Sequence, residues 1–235
     1  DAEAKGDPDF RSSTRDVAKY LEGFKKQKID AVVLDLRYNG GGILQEAIKL
    51  TGLFINKGPV VQVKDYRGRQ KIMNDTDARI SYQGPLVVAV SHMSASASEI
   101  VAAALQDHGR AIIVGGKATH GKGTVQQILP LNRSFISRLT GDSGQLKFTI
   151  SKFYRINGAT TQRDGVTPDI VLPSLLDYIG TSEGDLPRAL ESDKIAEAKY
   201  VSLDQVSSFF TSLRRASTKR INSNQDYKYI LEDIK

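Results

Sequence analysis

The sequence predicts an α/β fold with a helical C-terminal extension, and three observations carry that prediction. Short continuous apolar runs, Ala31 to Leu36, Pro85 to Val90 and Arg110 to Gly115, are strand-sized and read as strands of a parallel sheet. Segments with helical spacing of apolar residues alternate with them. From Leu186 onward the periodicity is helical and strongly charged, with no further buried-strand run. The expected organisation is a core over residues 1–180 and a helical extension over 181–235.

Before about Arg15 the chain is polar, contains Gly6 and Pro8, and reads as loop. Val17, Tyr20, Leu21 and Phe24 then mark a helix entered at Asp16, with Lys25, Lys26 and Lys28 at its negative end. The run Ala31 to Leu36 follows as a strand buried on both faces. Asn39 to Gly42 form a tight turn into a second helix marked by Leu44, Ala47, Ile48, Leu50 and Phe54. Val60 to Val63 and Lys71 to Met73 pair as a hairpin around Gly68. The strand Pro85 to Val90 leads to a helix over Ser94 to Leu105, the strand Arg110 to Gly115 comes next, and Leu146 to Tyr154 alternates as an amphipathic strand. In the extension, Asp226 to Ile234 reads as a helix.

Composition narrows the function classes. The 235 residues carry 33 Lys plus Arg against 27 Asp plus Glu, a net charge of +6, and 40% are hydrophobic, enough for a substantial core. No apolar run approaches the roughly 20 residues that span a bilayer. Zero cysteines exclude disulfides, thiolate metal sites and a cysteine nucleophile, and are compatible with an oxidising compartment. The one basic cluster, Arg214, Arg215, Lys219 and Arg220, has the pattern of a solvated helix face, so no nucleic-acid partner is expected.

Chemistry is expected at three turns that follow apolar strands, where open α/β sheets place their sites. Asn39 to Gly42 reads either as a strand-to-helix connection or as a row of backbone N–H groups facing an anion. Ser94-Ala95-Ser96-Ala97-Ser98-Glu99 reads either as a capping box, Ser96 with Glu99, or as a nucleophile at the positive end of a helix. Gly116 to Thr124 nearly matches a phosphate-binding loop. There Gly123 stands where the magnesium-binding hydroxyl belongs, and Pro130 would break the helix that must follow. Lys122 within it is then a solvated cation or, if desolvated, a base. A triad drawn from His92, His108 or His120 with Ser96 and Asp107 competes for the same chemistry.

At these residues the sequence resembles the C-terminal processing, or tail-specific, serine proteases of the bacterial periplasmic branch. Four blocks in family order carry the resemblance: VVLDLRYNGGG at 32–42, GPLVVAVSHMSASASEI at 84–100, GRAIIVGGKATHGKGTVQ at 109–126 and KFYRINGATTQRDGVTPDI at 152–170. It implies a crotonase-like mixed sheet flanked by helices and a Ser/Lys dyad with Ser96 as nucleophile and Lys122 as general base. Gln126 matches the glutamine that orients the base, and Asp107 matches an aspartate read as supporting. The backbone N–H groups of Gly41 and Ala97 are the candidates for the oxyanion hole. The spacing from Ser96 to Lys122 is one residue longer than in many members, with Gly115-Gly116 as the insertion and Lys117-Ala118 in place of an acidic-proline pair.

The same resemblance implies unfolded or C-terminally tagged polypeptides as substrates, no cofactor, and a periplasmic location that extends to the inner membrane face. It leaves room for a peripheral membrane or lipoprotein adaptor as partner. The upstream PDZ module usual in the family is not visible, so a catalytic fragment without it is expected. A catalytically silent protein-binding module on the same fold and a P-loop-like NTPase are the alternatives.

Overall fold

The computed structural model describes residues 10–131, 144–178, 180 and 182–234. Gly6 and Pro8, read above as loop, lie outside the described residues. The first helix, α1 (Ser13–Gln27), begins earlier than its apolar periodicity suggested, because Ser12 in an extended conformation accepts a hydrogen bond from the Arg15 N–H. It ends at Lys28, whose left-handed backbone (φ 52°) closes the last turn.

A parallel sheet orders its strands β1 (Val32–Asp35), β4 (Leu86–Val90), β5 (Ile112–Gly115) and β8 (Ile170–Val171), as β1-β4-β5-β8. The register Val33↔Val87↔Ile112 fixes one row of side chains across it. Helices α2 (Leu44–Gly52) and α3 (Ala97–Asp107) cross over one face, where Ile48, Val88, Val90, Ala102, Leu105 and Ile113 are buried together in the main core. An antiparallel sheet, β3-β2-β7-β6, is built from β2 (Gly58–Asp65), β3 (Gln70–Asp75), β6 (Thr124–Pro130) and β7 (Gln145–Tyr154). The α/β class therefore holds, with parallel and antiparallel pairings segregated into two ladders.

Several expectations change. β1 is an edge strand and is not buried on both faces: Val33 is 64% exposed, because its outward side has no helix against it among the described residues. β6 and β8 escaped the sequence. β6 pairs only with β7, and its Gln126, Gln127 and Ile128 are exposed, so it shows neither an apolar run nor alternation, and its Pro130 is tolerated at an edge. The strand also closes the NTPase reading, since a phosphate loop must enter a helix and this loop enters β6. The extension is less helical than its periodicity suggested: residues 186–206 carry no helix, and helices α4 (Phe210–Ser223) and α5 (Gln225–Asp233) follow. Phe210 and Leu213 of α4 pack with Val114 and Ile170 on the outer face of the parallel sheet.

Asp107 terminates α3, eleven residues along the helix from Ser96, so at about 1.5 Å per residue it lies far from that serine. Its nearly buried carboxylate accepts hydrogen bonds from Arg155 and, at 2.9 Å, from Asn157 Nδ2. Burial pushes this carboxyl up, and the Arg155 guanidinium opposes that shift. A buried pair is costly to break because it strands one charge, by roughly 3–5 kcal/mol. Asp107→Ala is therefore expected to lower the melting temperature by roughly 10 °C, and the additional Arg155→Met change to recover part of the loss. Thermal unfolding of the three proteins checks this, and an unshifted Asp107→Ala melt would count against a structural role.

Candidate active site

Because β1, β4 and β5 are parallel neighbours, the turns that leave their C-terminal ends must share one edge of the sheet. They are bonded to each other there. Ala95 N–H donates to the Asn39 carbonyl at 3.1 Å, and His120 N–H to the Ser94 carbonyl at 2.9 Å. The three turns singled out from sequence thus form one site.

Within the serine-rich turn the geometry separates the three serines. Ser94 is fully buried, its hydroxyl donating to the Leu36 carbonyl at 2.6 Å and accepting from Ser91 N–H at 3.0 Å. Ser98 is buried in the first turn of α3. Ser96 is half-buried and holds φ 58°, ψ −114°, a backbone conformation that a residue with a Cβ rarely adopts. A strained serine on a sharp strand-to-helix turn, at the positive end of a helix, is the geometry of an exposed nucleophile.

Gly41 stands directly against it. At φ 94°, a Cβ on Gly41 would meet Ala95 O at 2.5 Å, Ala97 N at 2.7 Å and Ser96 Cβ at 2.9 Å, so only glycine allows this approach. Ala97 opens α3, where backbone N–H groups have no carbonyl partner within the helix. The Gly41 N–H is engaged by Asn39 Oδ1 at 2.9 Å. For it to serve as an oxyanion donor, Asn39 must release it. A small, mainly apolar cavity of about 90 Å³ opens beside this pair, lined by Leu36, Ala47, Leu50 and Val101 together with Ser13, Asn39, Glu46 and Ser98.

Glu99 does more than close a capping box. Its Oε2 accepts from Ser96 N–H at 2.7 Å and from Lys122 N–H at 3.0 Å. The two backbone nitrogens are therefore no farther apart than those two bonds laid end to end. Its Oε1 accepts from Gly121 N–H at 2.8 Å and from the Thr119 hydroxyl at 2.6 Å, and Thr119 Oγ1 itself accepts from Val166 N–H at 2.8 Å. Burial pushes this carboxyl up to about 7, while the four donors favour the anion. Sequence showed only the i, i+3 capping pair, because the donors around Lys122 lie twenty or more residues away.

Lys122 is half-buried, and its Nζ donates to Gln126 Oε1 at 3.2 Å, the orienting contact expected of Gln126. Burial lowers its pKa most, Lys147 on β7 lowers it further, and Glu183 and Glu99 oppose the shift. No carboxylate neighbours Lys122 in sequence, so both acidic partners are additions made by the fold. The loop around it is pinned by residues to which sequence gave no role: Gly123 N–H donates to Gln162 Oε1 at 2.9 Å, Arg163 N–H to Gly121 O at 2.7 Å, and the Thr161 hydroxyl to Lys122 O at 3.0 Å.

The histidine triad does not assemble. Asp107 is at the far end of α3, and His108 Nε2 lies 2.9 Å from the buried Pro59 carbonyl. His120 faces Glu183 at 3.9 Å, and burial is the main cause that lowers its pKa. Among the described residues no group of His, Asp or Glu could hold a metal ion.

The strain at Ser96 is testable. Positive φ in a residue with a side chain costs on the order of 1–3 kcal/mol, and glycine relieves it. Ser96→Gly should therefore melt a few degrees above the unsubstituted protein, while Ser96→Ala should not. A Ser96→Gly melt equal to or below that of Ser96→Ala would mean that the turn is relaxed.

Residues 8–172 match the model of peptidase family S41, and residues 176–235 match the C-terminal domain of tail specific protease. The chain is 43% identical over 226 residues to the tail-specific protease of Haemophilus influenzae, covering 94% of this chain and 32% of that protein. It is 38% identical over 202 residues to the carboxy-terminal-processing protease of Bartonella bacilliformis, covering 79% of this chain and 42% of that protein. The chain thus spans well under half the length of both. Among solved structures, the photosystem II D1 C-terminal processing protease superposes with a TM-score of 0.58 at 30% identity, over 68% of this chain and 39% of that one. Mature CPAF, at 15% identity and a TM-score of 0.56 over 93% of this chain and 49% of that one, shares the fold. With the family model covering most of its length and its site-bearing turns, this chain belongs to peptidase family S41.

Proposed function

We propose that the chain carries the catalytic machinery of a serine endopeptidase that cleaves unfolded or tail-tagged polypeptides near their C-termini. The observation that supports this reading most directly is Glu99 Oε2 holding Ser96 N–H and Lys122 N–H at once. Nucleophile turn and base loop are thereby fixed together. Neutral Lys122 takes the Ser96 hydroxyl proton as Oγ attacks the scissile carbonyl carbon, and the oxyanion faces the N–H groups at Gly41 and Ala97. The C–N bond then breaks, the leaving amine takes the proton from Lys122, and water hydrolyses the acyl-enzyme by the same exchange.

The small apolar cavity beside Gly41 and Ala97 suits a small aliphatic side chain at the acyl side of the cut. A site built from backbone-rich turns reads main chain, so substrates must be extended. A periplasmic setting is part of this proposal, and the absence of cysteines is compatible with it. A silent binding module on the same fold would keep the turns but would not react. Incubating an unfolded substrate with this protein and its Ser96→Ala and Lys122→Arg variants tests the reading. Cleavage by the unsubstituted protein alone is expected, since a guanidinium cannot serve as base. Cleavage retained in either folded variant would overturn the dyad.

The dependence on pH follows from the need for a neutral lysine. Activity should rise with pH through the lowered Lys122 pKa. Glu183 favours the charged lysine, so Glu183→Gln should move this limb to lower pH. Lys147 disfavours it, so Lys147→Gln should move the limb to higher pH. Rate profiles of kcat/KM for the three proteins check both signs, and shifts in the opposite directions would refute the assignment.

A further inference from the structure

A groove of about 480 Å³ opens on the base side of the site, between one face of β6 and β7 and the segment Glu183–Leu190. Its floor includes Thr124 and Gln126, the residue that holds Lys122 Nζ. Its wall is Leu186, Pro187, Arg188, Ala189 and Leu190, four apolar residues around one cation, and Leu186 and Leu190 are 53% and 47% exposed. This wall lies in the region matched by the tail-specific C-terminal domain, beyond the end of the peptidase match at residue 172.

The wall is anchored at both ends. At one end, Glu183 N–H donates to His120 O at 2.9 Å, and its Oε1 accepts from Gln162 Nε2 at 3.1 Å, the same Gln162 that holds Gly123. At the other, Glu191 Oε2 pairs with Arg163 at 2.6 Å and its carbonyl accepts from Lys152 Nζ at 2.7 Å. A segment tied to the base loop and to β7 can present fixed apolar side chains to whatever lies beside Gln126.

The direction of the substrate follows from the chemistry. The group that takes the serine proton must return it to the leaving amine, so the leaving peptide lies on the Lys122 side of Ser96. The acyl half lies on the other side, at Gly41, Ala97 and the small cavity. We infer that the segment Leu186–Leu190 of the C-terminal domain is the wall against which the substrate's leaving C-terminal tail is read, as an extended strand with apolar side chains. This inference rests on the Ser/Lys reading above.

The experiment uses the protein as its own cell makes it, with a photo-crosslinking benzoylphenylalanine at position 186 in the Ser96→Ala background. The probe is an unstructured synthetic peptide ending in two leucines, and a counter-probe ends in two aspartates. Crosslinks are expected to the leucine tail, on the C-terminal side of the cut. In the active protein, Leu186→Asp and Leu190→Asp should each raise KM for the leucine peptide roughly tenfold with kcat little changed, as when one apolar contact leaves a pocket. Leu186→Met should keep the unsubstituted KM. Absent crosslinks, crosslinks only to the acyl side, or unchanged KM in both aspartate variants would overturn the tail-reading role. A fluorophosphonate probe separates the two levels. Failure to label Ser96 in the unsubstituted protein would sink the dyad itself, whereas labelling with wild-type KM in the variants would sink the groove alone.

Discussion

The site depends on one buried carboxyl group. Glu99 is fully enclosed, and its two oxygens accept from Ser96, Thr119, Gly121 and Lys122. Isolated, a carboxylate in that position would be expelled or protonated, and burial does drive its pKa up to about 7. What makes the charge tolerable is that each donor is a backbone N–H or a hydroxyl whose own acceptor lone pair is already used by Val166. The arrangement works in both directions. The donors favour the anion against the burial that opposes it, and the carboxyl group gathers two turns that have no sequence proximity.

That coupling explains why strain can persist at Ser96. A residue at φ 58° relaxes unless its surroundings fix it, and here Glu99 fixes its N–H while Gly41 packs on its Cβ. The same interaction fixes the Lys122 loop. Lys122 has its N–H on Glu99, its carbonyl on Thr161 and its Nζ on Gln126, so its side chain leaves a backbone that cannot rotate. Preorganisation of this kind holds the Ser96 turn and the Lys122 loop in one arrangement, and under the proposed Ser/Lys reading it sets both reacting groups before substrate arrives.

How much of this was legible in the sequence follows from the range over which each feature is encoded. Apolar runs revealed β4 and β5, and helical spacing revealed α1, α2 and α3, because both signals are local. Glycine and serine turns after strands pointed to Gly41, Ser96 and Lys122 for the same reason. β6 stayed hidden because an exposed edge strand has no buried face to pattern its residues. The stretch 186–206 looked helical because charged residues interrupt apolar ones at helical spacing, yet it packs only some of its apolar residues against other elements, as Leu203 and Ala198 do, and leaves Leu186, Leu190 and Val201 exposed. Gln162, Glu183 and the base-side role of Glu99 stayed hidden because their partners are distant in sequence, and only the strand order brings them together.

The contrast between Asp107 and Glu183 shows what a sequence match to a functional residue does and does not convey. Asp107 is matched to a residue that matters, and the fold gives it an ion pair with Arg155 at the end of α3 remote from the dyad. What the structure gives it is a hold on the end of the helix that begins beside Ser96. Glu183 had no match to recommend it. Yet its backbone holds His120, its side chain holds Gln162, and its charge acts on Lys122. Because it also begins the segment that walls the groove, one residue links the electrostatics of Lys122 to that groove. In this fold the C-terminal domain is therefore not an appendage remote from the three turns: its turn at Glu183–Asp185 forms part of the surroundings of Lys122.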